Sequence, residues 1–244
     1  MTADQSASSL AQRGARAFRR RARPTIDVVA QRARREAFVR RTQLAAYWAG
    51  AELDLDVAPD ADFWPGVRVT FQRGSRNRLR IGPGVVFEYR VWIRFADGSI
   101  DIAGPAWMRR DVILNVGGGR LEMEPNVALS WGTAVHCSEH VLFEEMAGAA
   151  EQVTIADTNH FFTTPDTWFW HNSRSDPVRI GRNTWLCPRV SVTPGSTVGA
   201  HCIVAPNSVV VGDVPDASFA SGNPATIRPL ALPWNTASAR VAQD

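Results

Sequence analysis

Apolar residues recur at every sixth position over much of this 244-residue chain. A strand repeats its side chains with a period of two and a helix with a period of 3.6, so neither alone produces a sustained period of six. Runs with this spacing begin at Ile81, Ile102, Met123 and Phe143. The longest run comprises Ile180, Leu186, Val192, Val198, Val204 and Val210. The spacing predicts a repeating coil built from six-residue units.

Each unit has a second regular position, four residues after the aliphatic one, where the side chain is mostly small. These positions hold Val85, Ala106, Val112, Val127, Thr133, Ala147, Val153, Thr184, Val190, Ser196, Cys202 and Ser208. A short strand with a small residue at its corner lets the chain turn around a narrow interior. The starts lie 20 or 21 residues apart between residues 81 and 143 and 18 apart between 180 and 198, so three units form one turn. We predict an all-β, parallel β-helix of about six coils.

The six-residue spacing is interrupted once, between residues 143 and 180, where the chain holds an insertion of about nineteen residues. Loops of this length are uncommon in compact domains unless they carry a function. Five aromatic residues fall within ten positions: Phe161, Phe162, Trp168, Phe169 and Trp170. Because large rings are unfavourable in water, we expect a neighbouring subunit or a sugar ring to cover them.

Charge is concentrated at the N-terminus. Residues 1–45 hold eleven arginines and three carboxylates, a net charge of +8 that leaves −5 for the rest of a chain whose total is +3. From Thr25 onward, one helical face carries Val29, Ala33, Ala37, Leu44 and Trp48. The pattern predicts an amphipathic helix that packs on the β-helix through this face or rests on anionic lipid. Nucleic acid is not expected as a partner, because no recognised binding motif accompanies the charge.

The cysteines and the apolar segments point to one cellular compartment. Cys137, Cys187 and Cys202 have no paired spacing, which predicts free thiols in a reducing environment. No segment has the length of a membrane span, and the start lacks the apolar core of a signal peptide. We expect a cytoplasmic protein whose N-terminal helix could touch the inner membrane face.

Three segments, Ile155–His160, Pro177–Leu186 and Val209–Ala225, resemble the hexapeptide-repeat acyltransferases. The similarity covers roughly residues 79–230 and is strongest over 152–228. It implies a left-handed β-helix, a homotrimer with active sites between subunits, and an acyl-CoA co-substrate, most simply acetyl-CoA, with no metal required. The expected organisation is an arginine-rich extension (1–50), a β-helix domain (51–230, with its inserted loop at 161–177) and a tail (231–244).

In this resemblance His160 matches the catalytic histidine, which would act as general base toward an acceptor hydroxyl. Asp157 could orient the imidazole ring or hold the acceptor. Trp168, Trp170 and His171 lie in the insertion and are expected to contact the substrate, with His171 as the reserve base. The implied reaction is direct O-acylation of a sugar, polysaccharide or glycolipid hydroxyl.

The resemblance also implies a set of residues that bind the acyl donor: Trp185, Pro188, Pro206, Val211, Gly212 and Arg228. Trp185 would lie beside the thioester arm and Arg228 near the 3′-phosphate. Proline has no N–H group. If relatives donate backbone hydrogen bonds at positions 188 and 206, this chain holds its coenzyme differently.

Two alternatives stay open at the level of sequence. The same fold supports zinc carbonic anhydrases with three histidine ligands, and here His140 and His160 would stack roughly 4.8 Å apart in consecutive coils, with His136 one face away. The second alternative is a non-catalytic β-helix used in assembly, which the prolines at donor positions favour. Trp185 and the Gly222–Ala225 turn favour the transferase.

Overall fold

A computed structural model describes residues 28–231 of the chain. It begins with a helix, α1 (Val28–Ala49), after which the chain winds into a triangular coil with one sheet on each side, parallel except for its last strand pair. None of the helices in this part of the chain combines the length and apolar character needed to span a lipid bilayer. The parts of the predicted extension and tail that precede residue 28 and follow residue 231 lie outside the described residues.

The three sheets form the three faces of the coil. The strands of the first face are Glu52–Val57, Arg76–Ile81, Gly98–Ile102, Arg120–Met123, His140–Phe143, Val178–Ile180 and Thr197–Val198. Those of the second face are Asp62–Phe63, Val86–Phe87, Trp107–Met108, Ala128–Leu129, Gly148–Ala149, Trp185–Leu186, Ile203–Val204, Ser218–Gly222 and Ala225–Pro229. Those of the third face are Arg68–Phe71, Trp92–Phe95, Ile113–Val116, Ala134–Cys137, Thr154–Ala156, Ser191–Val192 and Val209–Val210.

The period of six arises because each unit places one buried side chain directly over its counterpart in the next coil. On the first face the register stacks Val57, Ile81, Ile102, Met123, Phe143, Ile180 and Val198 in one column. At the corners, small polar side chains replace backbone partners: the Thr184 hydroxyl donates to the Gly199 carbonyl (2.6 Å) and accepts from the Cys202 N–H (3.0 Å). The predicted left-handed parallel β-helix is confirmed.

The predicted number of coils, about six, is wrong: the helix makes about eight turns. One missed coil precedes Ile81 and contains Val57, Phe63 and Val69, which share the six-residue spacing and the buried position. The other end continues past Val210 to a final strand that pairs antiparallel with its neighbour. The first coil takes 24 residues, from Val57 to Ile81, whereas the next starts lie 20 or 21 residues apart, so the first coil falls outside the regular spacing.

The helix α1 closes the N-terminal end of the coil. Its Phe38 ring stacks on Phe63 with centroids 3.8 Å apart, and Phe63 in turn lies 5.3 Å from Phe87 inside the coil. The Arg34 guanidinium donates to both carboxylate oxygens of the nearly buried Asp62, and Arg35 donates to backbone carbonyls of the first coil. Aromatic stacking and a partly buried ion pair therefore hold the helix in place.

The predicted packing face of this helix is wrong. The side chains that meet the coil are Phe38, Thr42 and Ala46, whereas the predicted face of Val29, Ala33, Ala37, Leu44 and Trp48 is exposed. The open end of the coil presents an aromatic interior, and one large ring fills that end better than a stripe of alanines. The helix consequently turns its more apolar stripe outward.

We expect Phe38→Ala to lower the free energy of unfolding by about 3 kcal/mol, because it empties the end of the aromatic stack. Urea denaturation measures the loss. The matched control is Leu44→Ala on the exposed side of the same helix, which should change stability by less than about 0.5 kcal/mol. Equal losses for the two variants would contradict the capping role of Phe38.

Candidate active site

The interruption of the repeat forms a β-hairpin that projects from one corner of the coil. Its strands, Thr158–His160 and Ser173–Ser175, pair antiparallel and place His160 opposite Ser173. The hairpin leaves the fifth coil where the third face passes to the first, and its base is closed by the Asp176 N–H donating to the Asp157 carbonyl (2.8 Å). His160 therefore belongs to the projecting hairpin itself and not to the coil before it.

The imidazole of His160 is held in one orientation by its neighbours. Its Nδ1 lies 3.1 Å from the Asn172 carbonyl oxygen, and its ring stacks on Trp170 at 4.8 Å and 16°. A carbonyl oxygen only accepts, so Nδ1 carries a hydrogen, and in the neutral ring the free lone pair is then on Nε2. Since the side chain is exposed, this arrangement presents a basic nitrogen to a molecule from solvent.

Aromatic side chains form an exposed surface beside this histidine. Phe162, Trp168 and Trp170 are 73%, 59% and 60% exposed, and the two indoles lie 6.3 Å apart at 24°. Asn172 donates from its side chain to the Thr163 hydroxyl at 3.4 Å, so polar groups lie nearby. The backbone of His171 ends a 3₁₀ turn (Phe169–His171), and its side chain lies outside the described part of the structure.

Asp157 occupies a different place from the one expected of a residue that orients His160 or holds an acceptor. Its carboxylate is fully buried and accepts hydrogen bonds from the N–H groups of Ser138 and Glu139 and from the Thr158 hydroxyl, all at 2.8–3.0 Å. These partners anchor the base of the hairpin to the preceding coil. The Asp157 carboxylate therefore holds the hairpin in position on the coil.

The predicted donor residues Trp185 and Arg228 share the second face. Strand register places Trp185, Ile203, Phe219 and Arg228 side by side in consecutive strands. With strands roughly 4.8 Å apart, this row is about 14 Å long. The Arg228 guanidinium lies 4.3 Å over the Phe219 ring.

Gly148 leaves the space in which the Trp185 indole lies. Gly148 neighbours Trp185 in the sheet, and a Cβ atom at position 148 would lie 2.8 Å from the indole Cε3. No side chain fits there without displacing the ring. Trp185 remains 44% exposed on its other side, so one part of the indole is available to a ligand.

The other predicted donor residues lie at corners. Pro188 and Pro206 sit at successive corners between the second and third faces, where the Pro188 carbonyl accepts from the Asn207 N–H (3.0 Å). Val211 is 65% exposed at a corner between the third and first faces, and the adjacent Gly212 N–H donates to the Ser196 hydroxyl (3.2 Å).

The histidine and the donor row lie on different sides of one chain. The hairpin leaves the corner between the third and first faces, which in a triangular coil points away from the second face. The structure therefore brings His160 together with the aromatic hairpin and Trp185 together with Arg228. It does not bring these two groups together within a single subunit.

Comparison with known proteins locates the repeat. Residues 177–212 match the family model described as bacterial transferase hexapeptide (six repeats). This segment is a hexapeptide repeat. Among curated proteins, the chain is 41% identical over 68 residues to a probable acetyltransferase of Mycobacterium tuberculosis, covering 28% of this chain and 23% of that protein. It is 38% identical over 63 residues to a putative acetyltransferase of Staphylococcus aureus, covering 24% and 32%.

The chain thus spans about a third or less of the length of these curated relatives. Solved structures that resemble it include the polySia-specific acetyltransferase NeuO, at 17% identity and a TM-score of 0.48, covering 74% of this chain and 80% of that one. Another is a maltose O-acetyltransferase from Clostridium difficile, at 22% identity and a TM-score of 0.41, covering 46% and 59%.

The stacked histidines expected for a zinc site are not formed. Strand register pairs His140 with Arg120 on the neighbouring coil, while His160 pairs with Ser173 inside the hairpin. His140 Nε2 lies 2.8 Å from a Glu122 carboxylate oxygen. Within residues 28–231, no group of three or more histidine, cysteine or acidic side chains could hold a metal ion. The prediction that His140 and His160 stack is wrong, because the insertion carries His160 out of the ladder.

The three cysteines are free, as predicted, and none is poised as a nucleophile. Burial raises the pKa of the Cys137 thiol to about 12, with the Asp157 carboxylate adding to the shift. Burial also raises the pKa of Cys187 and of Cys202. Because the thiolate is the reactive form, all three are disfavoured as carriers of a covalent acyl group.

We expect Asp157→Ala to lower the free energy of unfolding by about 3 kcal/mol, because buried N–H donors of Ser138 and Glu139 lose their acceptor. Urea denaturation checks this. Asp166→Ala removes an exposed carboxylate of the same hairpin and should change stability by less than about 0.5 kcal/mol. Unchanged stability of Asp157→Ala together with lost activity would instead indicate a substrate contact.

Proposed function

We propose that this protein is a CoA-dependent O-acyltransferase, most simply an acetyltransferase, that acts on a hydroxyl of a sugar, polysaccharide or glycolipid. The observation that carries the proposal is the exposed His160 side chain, whose Nδ1–H is held by the Asn172 carbonyl and whose ring stacks on the exposed Trp170 indole. The hexapeptide-repeat segment and the relatives described as acetyltransferases support the same chemistry.

In the proposed reaction, His160 Nε2 takes the proton of the acceptor hydroxyl as its oxygen attacks the thioester carbonyl carbon. The new C–O bond forms, the C–S bond breaks, and the coenzyme thiolate leaves with the proton returned by the imidazolium. The Asn172 carbonyl stabilises that imidazolium through the Nδ1–H hydrogen bond. Direct transfer also agrees with the raised thiol pKa values, since no cysteine is prepared to carry the acyl group.

The aromatic hairpin supports a carbohydrate acceptor. Exposed indoles such as Trp168 and Trp170 stack on the apolar faces of sugar rings, while Thr163, Asn172 and Asp166 offer hydrogen bonds to hydroxyls. The stacking of Trp170 on His160 would place a bound sugar next to the basic nitrogen. His171 lies on the same hairpin, and we propose that it also contacts the acceptor.

The second face supports binding of the acyl donor. We place the thioester arm beside Trp185 and the 3′-phosphate near Arg228, at the other end of a row about 14 Å long. Val211 and Gly212, at the corner that points away from the second face, would meet the nucleotide end of a donor bound to a neighbouring subunit. Pro188 and Pro206 would contact the pantetheine by packing alone, because neither has an N–H to donate.

The separation of the two groups supports a homotrimer. Because His160 and Trp185 lie on different sides of one chain, a complete site requires the hairpin of one subunit beside the second face of another. A neighbouring subunit would also cover part of the aromatic hairpin. A cytoplasmic location, where acyl-CoA is available, belongs to the same proposal.

We expect His160→Ala to lower kcat by roughly 10²- to 10⁴-fold and to leave the KM for acetyl-CoA unchanged, because it removes the base and no donor contact. Mass spectrometry of a glycan panel incubated with labelled acetyl-CoA identifies the acceptor, and steady-state rates follow. His140→Ala is the matched control and should retain activity. No measurable affinity for acetyl-CoA, or loss of stoichiometric zinc and of activity in His140→Ala, would overturn the proposal.

We expect Gly148→Val to weaken coenzyme A binding about tenfold, because the new side chain displaces the Trp185 indole. Isothermal titration of the free enzyme with coenzyme A measures the effect. Ala128→Val makes a comparable change on the same face one coil earlier and should leave the affinity within about twofold of wild type. Equal affinities of the two variants would remove Trp185 from the donor site.

A further inference from the structure

The outward side of helix α1 carries several exposed apolar side chains. Leu44, Tyr47 and Trp48 are 56%, 74% and 81% exposed, and Ala33 and Ala37 lie exposed on the same side. The rings of Tyr47 and Trp48 meet edge to face with centroids 5.5 Å apart. We call these five residues the outer face. Single exposed apolar residues are ordinary, whereas Leu44, Tyr47 and Trp48, which neighbour one another within one turn, mark an interaction surface.

The capping role of the helix determines where this surface points. Phe38 enters the end of the coil, so the opposite side of α1 faces outward along the coil axis. The outer face therefore forms an end surface of the molecule. It is also separate from the candidate active site, because the hairpin leaves from the fifth coil whereas the helix covers the first.

Positive charge accompanies the outer face. Arg40 and Arg41 are exposed on the same helix, whereas Arg34 and Arg35 turn inward to bind the first coil. Residues 1–27, which precede the helix, contain six arginines and two aspartates, while the chain beyond residue 45 has a net charge of −5. The charge of the N-terminal region is thus complementary to an anionic partner.

We propose that α1 docks the protein on an anionic lipid membrane through its outer face. Leu44 and Trp48 would enter the boundary between headgroups and acyl chains, with Tyr47 at the polar interface, where tyrosine and tryptophan are favoured. Arg40 and Arg41 would contact anionic headgroups, and residues 1–27 would add attraction at longer range. The helix lies in the membrane plane and does not cross it.

Two other occupants fit this surface less well. A second copy docked end to end would bring two N-terminal regions of net charge +8 together, which electrostatic repulsion disfavours. A nucleic acid would satisfy the arginines but would leave Leu44 and Ala37 against a charged backbone. Lipid is the partner that uses both the apolar and the basic side chains of this end.

Sedimentation of the full chain with lipid vesicles tests the proposal. We expect at least tenfold tighter binding to vesicles of phosphatidylcholine with phosphatidylserine than to phosphatidylcholine alone, and loss of that difference at high salt. Leu44→Gln with Trp48→Gln should weaken binding at least tenfold, and Arg40→Gln with Arg41→Gln about tenfold. Trp131→Gln, which removes an exposed indole from the fourth coil, should bind like wild type.

Several results would overturn the proposal. These are no binding to anionic vesicles, unchanged binding of the Leu44 and Trp48 variant, or end-to-end dimers that this variant dissociates. Preference for a DNA duplex over vesicles in competition would also reject lipid as the partner. Thermal unfolding of each variant at the wild-type temperature confirms that weakened binding does not reflect a damaged fold, since the substituted side chains are exposed.

Discussion

The stacking of one apolar side chain on its counterpart in the next coil is the interaction on which this structure depends. Each coil buries its inward residues only because another coil lies above and below it, and the backbone hydrogen bonds run in the same direction. Such an array has two ends that cannot complete themselves. Here α1 closes one end with Phe38, and an antiparallel strand, Ala225–Pro229, follows the other.

Because the inward side chains stack regularly, the candidate functional side chains lie on the outside of the coil. The hairpin that interrupts the repeat can project because its base, through the buried Asp157 carboxylate, is tied to the preceding coil. The projecting strands can then hold His160 against Asn172 and Trp170 without disturbing the core. The proposed donor row lies on the second face, where the Trp185 indole lies over Gly148. Rigid scaffold and functional side chains are thereby separated.

The N-terminal helix α1 caps the coil with one side and exposes apolar and basic side chains on the other. Phe38, Thr42 and Ala46 meet the coil and Val39 is partly buried beside them, whereas Leu44, Tyr47 and Trp48 remain exposed. The arginines divide in the same way, two binding the first coil and two facing outward. A surface of this kind at one end of the molecule leaves the hairpin and the second face accessible.

The sequence by itself determined the coil and the place where it breaks, because a period of six directly encodes which side chains stack. The assignment of His160 as the base comes from the resemblance to the hexapeptide-repeat acyltransferases and not from the spacing. Only the tertiary structure decided where side chains point. Asp157 turns to Ser138, Phe38 reaches Phe63, and His160 leaves the ladder that holds His140. Each of these outcomes depends on contacts between different coils or elements. Spacing along one segment carries no information about them, since it records a pattern of burial and not the partner that satisfies it.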